Sequence, residues 1–112
     1  MNSVSKSDID KVFGNILREF RIKSGFTQEQ ISEQLGISLK YISRIENGNN
    51  GVKTQTLINY MNILGINPDT LYSEFITNSE VKESIKLSEK INSLSKEKRL
   101  FISSIIDLLN DL

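Results

Sequence analysis

Lys40 and Arg44 are cationic side chains four residues apart in a stretch predicted to be helical, so both can lie on one helix face. The arginine fork matches the O6 and N7 acceptors of guanine, and the lysine can reach either guanine or a phosphate. Leu39 could pack on a thymine methyl group, and Ser38 and Ser43 carry hydroxyl groups that can bond to bases. These side chains have the chemistry needed to read base edges in duplex DNA. The alternative is that Lys40 and Arg44 belong to an ordinary solvated helix face.

Catalytic chemistry has few candidate residues in this sequence. Cysteine and histidine are both absent, which removes disulfides, thiol chemistry, ordinary zinc sites and the usual proton shuttle at neutral pH. The carboxylate pairs Asp8 with Asp10 and Asp107 with Asp111 suit helix ends or solvent, and no nucleophile accompanies them. We therefore expect no enzymatic activity, no cofactor and no metal site.

Residues 27–48 predict two short helices joined by a tight corner. Thr27 with Gln30 three residues later is a capping-box pattern, which begins a helix, and Gly36 ends that helix. Ser38 then caps the second helix. The apolar residues that recur at helical spacing along the two helices are Ile31, Leu35, Leu39, Ile42 and Ile45. Two helices in this arrangement form a helix-turn-helix signature.

The flanking segments predict an all-α fold in which residues 1–76 form a five-helix bundle. A first helix of about 17 residues begins at a cap on Ser7 and ends near Gly25. A fourth helix begins at Thr54 or Gln55, and a short fifth helix opens at Pro68. The side chains expected to point inward on the fourth helix are Leu57, Ile58, Met61 and Leu64, and the fifth helix is expected to run through Leu71, Tyr72 and Phe75.

A polar run at residues 77–79 marks the boundary of a second part, residues 77–112, predicted to be a helical pair. Its last helix starts at about Lys96 after a cap on Ser95, and its apolar residues exceed one stripe. A two-helix appendage cannot hide that surface, so the helix should dock on another chain or fold back on its own bundle. The expected dimerisation residues are Leu100, Phe101, Ile105, Ile106, Leu108, Leu109 and Leu112.

The charges are balanced, since 14 basic and 14 acidic residues give a formal net charge of zero. Any DNA binding must therefore rest on the local placement of a few cations. No apolar run approaches the roughly 20 residues that cross a bilayer, and the first residues, MNSVSKSDIDK, lack the apolar core of a signal peptide. We expect an intracellular protein with no membrane partner.

A dense set of residues in the first part of the chain matches one known pattern: Phe13, Gly14, Leu17, Arg18, Arg21, Gly25, Thr27, Gln28, Glu29, Leu35, Gly36, Ile37, Ser38, Tyr41, Ile42, Ser43, Ile45, Glu46, Gly48, Leu57, Leu64 and Leu71. This pattern resembles the Xre/Cro/C1 family of prokaryotic helix-turn-helix regulators. The proline that the family has near Lys53 is absent here. The layout is also similar to SinR-type regulators of developmental genes in spore-forming bacteria, whose C-terminal helices mediate self-association and capture by an antagonist.

The resemblance implies a lambda-repressor-like bundle that reads the major groove with the helix at residues 38–47. The implied base contacts are Ser38, Leu39, Lys40, Ser43 and Arg44. Glu46 lies in the last turn of that helix, where a negative charge is unfavourable without a compensating cation. The resemblance points to Arg21 as that cation, so we predict an Arg21–Glu46 ion pair. The alternative is two independent surface charges.

Contacts to the phosphate backbone are expected from amide, hydroxyl and ammonium groups near helix starts and in the loop after the recognition helix. The residues predicted for this role are Gln28, Tyr41, Asn49, Asn50 and Lys53. For Gln28 and Tyr41 the alternative is plain helix surface or the edge of the core.

We therefore predict a sequence-specific transcription regulator, a repressor in particular, that lies in the bacterial cytoplasm in association with the nucleoid. One recognition helix covers few base pairs, so double-stranded DNA should be bound by a homodimer, or a higher oligomer, on half-sites about 34–36 Å apart. A small antagonist protein on the C-terminal helices is a further expected partner. The competing hypothesis is a protein-binding antagonist or antitoxin that acts on a partner regulator through its C-terminal helices. The balanced charge favours this second hypothesis, and Lys40 and Arg44 oppose it.

Overall fold

The structure, a computed structural model, describes residues 3–112, and this part of the chain contains helices and no β-strand. The predicted all-α fold is confirmed. The helices are α1 Lys6–Lys23, α2 Gln28–Leu35, α3 Leu39–Glu46, α4 Thr54–Leu64, α5 Pro68–Tyr72, α6 Ser79–Asn92 and α7 Lys96–Asn110, with a single 3-10 turn at Ser73–Phe75 after α5. Among the described residues, no helix is long and apolar enough to cross a lipid bilayer.

The chain divides into two compact units. The first unit ends at Glu74 and contains α1 to α5, and the second unit, Phe75–Leu112, contains α6 and α7. In the first unit, α3 packs against both α1 and α2, and α4 packs against the same two helices. Its core consists of Phe13, Leu17, Ile31, Ile42, Ile45, Leu57, Tyr60, Leu64, Ile66 and Leu71. Removal of these side chains from water is the main force that holds the five helices together.

The corner between α2 and α3 has the predicted caps. The Thr27 hydroxyl accepts from the backbone N–H of Gln30, and the Gln30 side chain accepts from the backbone N–H of Thr27. Gly36 ends α2 in the left-handed conformation, with φ of 66°, and the Ser38 hydroxyl accepts from the backbone N–H of Tyr41 at the start of α3. Because every one of these bonds spans only a few residues, the local sequence determines where α2 begins and ends and where α3 begins.

Two expectations for helix positions are wrong. Ser5, and not Ser7, caps α1: its hydroxyl accepts from the backbone N–H of Asp8, and the earlier start places Lys6 one turn before Asp10, with 2.8 Å between Nζ and Oδ2. Ile58 was expected in the core but is 48% exposed. The buried side of α4 is a narrow stripe of Leu57, Tyr60 and Leu64, and position 58 lies about 100° away from Leu57 around the helix, outside this stripe.

Of the other positions expected inward on α4, Leu57 and Leu64 are buried and Met61 is half-buried. On the predicted fifth helix, Leu71 is buried and Phe75 is half-buried. Tyr72 is exposed over nearly half of its surface, yet its ring packs edge-on against Phe13, with 5.2 Å between the ring centroids. This T-shaped contact is a favourable geometry for two aromatic rings. The residue therefore closes one side of the core while its other side faces solvent.

The second unit is a pair of helices, and hydrogen bonds hold the corner that joins them. The Ser95 hydroxyl accepts from the backbone N–H of Lys98 and caps α7 as predicted. From the first turn of α7, the Arg99 guanidinium donates to the backbone carbonyls of Leu94 and Asn92, at 2.9 and 3.4 Å. These bonds occupy carbonyls at the end of α6 that have no partner within the helix. The unit has a defined corner although none of its helical side chains is buried.

Gly14 lets α1 approach the end of α3 at backbone distance. A Cβ atom at this position would collide with the carbonyl oxygen of Ile45 and would lie 3.2 and 3.3 Å from the backbone nitrogen of Gly48 and the carbonyl oxygen of Glu46. The obstructing atoms belong to the backbone, so they cannot move aside as a flexible side chain would. Gly14 thus permits the contact between α1 and α3 on which the orientation of α3 depends.

We expect Gly14→Ala to lower the free energy of unfolding by about 1–3 kcal/mol, the range for overpacked sites. The gain in helix propensity, about 1 kcal/mol, is smaller than the energy needed to separate two backbones. Asn15→Ala is the control, because Asn15 is the exposed neighbour on the same helix and should change stability by no more than about 0.5 kcal/mol. Urea denaturation measures both, and a Gly14→Ala protein as stable as the control would show that α1 and α3 can separate freely.

Candidate nucleic-acid interface

The base-reading residues predicted from sequence lie together on α3 and its N-cap. Ile42 and Ile45 are buried against the bundle, whereas Lys40 and Arg44 are exposed on the opposite side of the helix. Leu39 is 42% exposed, so it belongs to this outer surface and not to the core stripe. The outer surface of α3 is therefore a ridge with two cationic side chains at its centre and the apolar Leu39 to one side. A ridge one helix wide fits the major groove, which is about 12 Å across.

Ser38 and Ser43 lie at the edges of this ridge. The Ser38 hydroxyl oxygen is occupied by the capping bond from the Tyr41 backbone N–H, at 3.1 Å, which leaves its hydrogen available as a donor. Ser43 is half-buried. Both hydroxyl groups are thus less free to move than the cationic side chains beside them.

Tyr41 fastens the loop after α3 to the first turn of that helix. Its hydroxyl accepts from the backbone N–H of Lys53, at 3.2 Å, and lies 3.5 Å from the carbonyl oxygen of Gly51, to which it can donate. This hydroxyl was predicted to contact a phosphate, but in the structure its bonding capacity is directed to the loop. Tyr41 therefore has an internal partner that sequence reasoning did not identify, because the partner lies ten to twelve residues away.

The loop between α3 and α4 offers side chains to a ligand, because backbone N–H groups at its start are used within the chain. The backbone N–H groups of Asn49 and Asn50 both donate to the carbonyl oxygen of Arg44, at 2.9 and 3.3 Å, so they close the end of α3. The Lys53 side chain is exposed at the N-cap of α4, where no side chain caps the helix. Unpaired N–H groups in the first turn of a helix attract anions. The loop residues and the start of α4 thus form a surface suited to a phosphate.

A buried carboxylate, that of Glu46, lies behind α3. Arg21 on α1 binds it as a fork, with Nε 2.8 Å from Oε2 and Nη2 2.8 Å from Oε1. The Glu46 side chain is fully buried and that of Arg21 is 11% exposed, so this is an internal ion pair and not two surface charges. The remaining nitrogen of the fork, Nη1, donates to the carbonyl oxygen of Phe26, at 2.9 Å, just before α2. One guanidinium therefore ties α1 to α3 and to the segment that leads into α2.

Two further side chains complete the shell around Glu46. The Gln28 amide nitrogen on α2 donates to Oε1, at 3.2 Å, and the Tyr60 hydroxyl on α4 donates to Oε2, at 3.1 Å. Gln28 was predicted to contact a phosphate. It is half-buried, and one of its amide hydrogens is used on Glu46. The sequence analysis did not identify Tyr60. Its helical spacing from Leu57 and Leu64 places a hydroxyl group on the buried side of α4, and this was the signal available in the sequence. Four helices converge on one carboxylate.

Two members of the network, Arg21 and Tyr60, keep their protons at neutral pH. The pKa of the Arg21 guanidinium is raised, chiefly by its hydrogen bond to Glu46, while burial acts in the opposite direction. The pKa of the Tyr60 phenol is also raised, first because the group is buried and then because the Glu46 charge opposes a second anion. Tyr60 thus stays a hydrogen-bond donor and Arg21 stays a cation. Throughout residues 3–112, no group of acidic side chains is arranged to hold a metal ion.

Comparison with known proteins identifies the segment that contains these features. Residues 14–74 match the family described as "Helix-turn-helix domain". The HTH-type transcriptional regulator YazB of Bacillus subtilis (strain 168) is 33% identical over 61 residues, which are 54% of this chain and 88% of YazB. The match to the family begins at Gly14, so it includes both partners of the ion pair and the whole of α3.

Two solved structures are similar to this chain. The clp gene regulator ClgR of Corynebacterium glutamicum has a TM-score of 0.54 and 26% sequence identity, and the match covers 73% of this chain and 81% of that chain. A chain of a SinR protein/SinI protein complex has a TM-score of 0.51 and 16% identity, and covers 89% of this chain and 99% of that chain. At this lower identity the second similarity concerns the fold alone.

We expect Glu46→Ala to lower the free energy of unfolding by about 3–5 kcal/mol, because it leaves the Arg21 cation in a buried site without its anion. Glu33→Ala is the control, since Glu33 is an exposed carboxylate on α2 and should change stability by no more than about 0.5 kcal/mol. Thermal and urea denaturation of the two variants measure the difference. Matching curves would mean that the ion pair contributes nothing to the fold.

Proposed function

The chain belongs to the helix-turn-helix domain family, and from this premise we propose that it is a repressor that binds DNA as a homodimer, with one copy of α3 in the major groove of each half-site. The resemblance inferred from the sequence is confirmed at the level of the family. Proteins of this family are DNA-binding transcription regulators and not enzymes, which agrees with the prediction of a non-catalytic protein. The direction of regulation, the dimer and the individual DNA contacts are proposals.

The observation that carries the proposal is the division of α3 into two sides. Burial of Ile42 and Ile45 fixes the rotation of the helix, and this rotation leaves Leu39, Lys40 and Arg44 outward together. In our proposal Arg44 donates to the O6 and N7 atoms of a guanine, Lys40 to a guanine or a phosphate, and Leu39 packs on a thymine methyl group. Ser38 and Ser43 add hydroxyl contacts at the edges.

The phosphate backbone is bound, in our proposal, on both sides of α3. Asn49, Asn50 and Lys53 contact one strand from the loop, and Gln28 contacts a phosphate at the start of α2. Tyr41 acts mainly by holding the loop in place. If about four phosphates are neutralised by each subunit, the slope of log affinity against log salt concentration is about −7 for the dimer. Since the net charge of the chain is zero, non-specific DNA binding should be weak.

The dimer surface that we propose is on α7, in the part of the chain from residue 77 to residue 112. The side chains of Phe101, Ile105, Leu108 and Leu109 fall within one face of this helix at 100° per residue, and Leu112 follows just after its end. All five are exposed. A continuous apolar face on a helix marks an interaction surface. Paired with the same face of a second copy, it buries itself by two-fold symmetry. Leu100 and Ile106 flank this face and extend the contact.

In our proposal the dimer represses by occupying a promoter, where it blocks the polymerase without any further contact. A higher oligomer would extend the same block along the DNA. Two half-sites read by two copies of α3 also provide the selectivity that a single helix lacks.

A second candidate function is the capture of a partner regulator by the apolar face of α7. The balanced charge of the chain and the exposure of this face favour it. In the similar structure of the SinR protein/SinI protein complex, two different proteins are associated, which makes a protein antagonist a reasonable partner for this chain too. A DNA-binding assay at low salt with genomic and random duplexes separates the two functions. Failure to bind any duplex below about 10 μM, the range of ordinary non-specific affinity, would leave the partner-binding function.

We expect Arg44→Ala to weaken binding to the selected site by about 1–3 kcal/mol and to relax preference at one base position, because a bidentate base contact is lost. Lys53→Ala is the comparison: as a phosphate contact it should weaken binding on all sequences and reduce the salt slope by about 1. Fluorescence anisotropy with a panel of single-base variants of the site measures both. Uniform weakening by Arg44→Ala would reassign Arg44 to the phosphate backbone.

We expect Leu108→Glu to convert the dimer to monomers, because it places a charge at the centre of an apolar interface. Leu108 is 68% exposed in the chain, so the substitution should leave the helices themselves intact. Ser103→Glu is the control, since Ser103 lies on the opposite, polar side of α7. Sedimentation velocity measures the assembly and circular dichroism the helix content. A dimer that persists in Leu108→Glu would place the interface elsewhere.

A further inference from the structure

We propose that Tyr60 is a positioning residue for DNA recognition, and that its hydroxyl acts through the Glu46 carboxylate to hold Gln28 in the orientation that meets a phosphate. The inference rests on the proposed phosphate contact of Gln28. It assigns a role to a core residue on α4, a helix outside the helix-turn-helix motif. Tyr60 itself does not touch DNA, because its side chain is entirely buried.

The two oxygens of Glu46 bind different side chains. Oε2 receives the Tyr60 hydroxyl, and Oε1 receives the Gln28 amide. Arg21 donates to both oxygens as a fork, with Nε 2.8 Å from Oε2 and Nη2 2.8 Å from Oε1. The fork neutralises the charge and aligns the carboxylate with the guanidinium plane. Of the other two donors, Tyr60 binds only Oε2 and Gln28 binds only Oε1.

Without hydrogen bonds, the Glu46 carboxylate would be free to rotate about the terminal torsion of its side chain. The terminal torsion of a glutamate side chain has a broad energy minimum, so hydrogen bonds determine the plane of the carboxylate. The Tyr60 ring is held in the core and its hydroxyl can point at only one place. This bond restrains Oε2, and because the group is rigid and planar, it acts together with the Arg21 fork to restrain Oε1. Gln28 then has an acceptor at a defined position, which selects one side-chain rotamer.

The selected rotamer of Gln28 contributes to the proposed phosphate contact. Gln28 is the first residue of α2, where unpaired backbone N–H groups also face outward. One of its amide hydrogens is used on Glu46, so the other hydrogen remains for a phosphate oxygen. A side chain that is already ordered loses less conformational entropy on binding than a free one. The buried hydroxyl of Tyr60 thus improves a contact at the surface.

The hydroxyl would be unfavourable in the core if it had no such bond. A buried hydroxyl without a partner is costly, and phenylalanine would fill the same volume without that cost. The described residues contain no buried side-chain polar atom that lacks a partner. Tyrosine at position 60 is therefore explained by its bond to Glu46 and not by packing.

Tyr60→Phe tests the proposal, with Ile66→Val as the matched control. The phenylalanine keeps the ring, and Oε2 retains Arg21 as a donor, so the variant should fold with a modest loss of stability. Ile66 is a buried core residue, and its truncation should lower the melting temperature without a change at Glu46. Both are compared with the wild type at a temperature at which all three full-length proteins are folded.

The DNA probe is the duplex that the wild type selects from a random-sequence library. We expect Tyr60→Phe to weaken binding to this duplex about threefold to tenfold, the size of an ordinary coupling between neighbouring side chains, and Ile66→Val to leave it unchanged. In the Gln28→Ala background, Tyr60→Phe should have no further effect. Unchanged binding by Tyr60→Phe, or an equal additional loss in the Gln28→Ala background, would overturn the proposal.

A second measurement needs no DNA. The side-chain amide resonances of Gln28 in the free full-length protein report its bond to Glu46. We expect these resonances to shift in Tyr60→Phe and to stay in place in Ile66→Val. Unmoved resonances in Tyr60→Phe would overturn the proposed link even if DNA binding fell. If the wild type selects no duplex, the proposed DNA-binding function fails, and a shift of these resonances still supports the link from Tyr60 to Gln28.

Discussion

The carboxylate of Glu46 lies inside the first unit, and the position of the recognition helix depends on how its charge is neutralised. A lone buried carboxylate would be strongly unfavourable, and this one lies at the end of a helix whose dipole also opposes it. Arg21 supplies the opposite charge, and Gln28 and Tyr60 supply the remaining donors. Desolvation offsets much of the attraction in such a pair. Its main effect is on geometry, because the partners lie on three other helices and together restrict α3 to one position.

This constraint explains how a chain without net charge can present a surface for DNA. The orientation of α3 is set from behind by the Glu46 network and by the close approach of α1 at Gly14. Once α3 is held in this way, Lys40 and Arg44 project together with no need for a large basic surface. Tyr41 binds the loop after α3, so the asparagine and lysine side chains of this loop keep a defined position relative to α3. The proposed recognition of DNA thus depends on the local placement of a few cations and not on an overall positive charge.

The second unit is built on a different principle. In the first unit a set of large apolar side chains is fully removed from water, whereas no side chain of α6 or α7 is. The caps and the Arg99 bonds define its corner, but hydrogen bonds at a corner contribute little stability compared with apolar burial. The apolar face of α7 is therefore the part of the chain with most to gain from a partner. In the proposed function, a second copy and a separate antagonist protein would compete for the same face, which would couple assembly to regulation.

The sequence by itself determined the features whose causes lie within a few residues: the capping box of Thr27 and Gln30, the left-handed end at Gly36, and the helical spacing that makes the fold all-α. A resemblance between sequences was needed to pair Arg21 with Glu46, because the two are 25 residues apart and many other cations are available. Only the tertiary structure decided which side of α4 is buried, and so excluded Ile58 from the core and placed Tyr60 against Glu46. Helix periodicity identifies a face but not the neighbours that cover it. Those neighbours come from distant parts of the chain, and their choice depends on how all five helices pack at once.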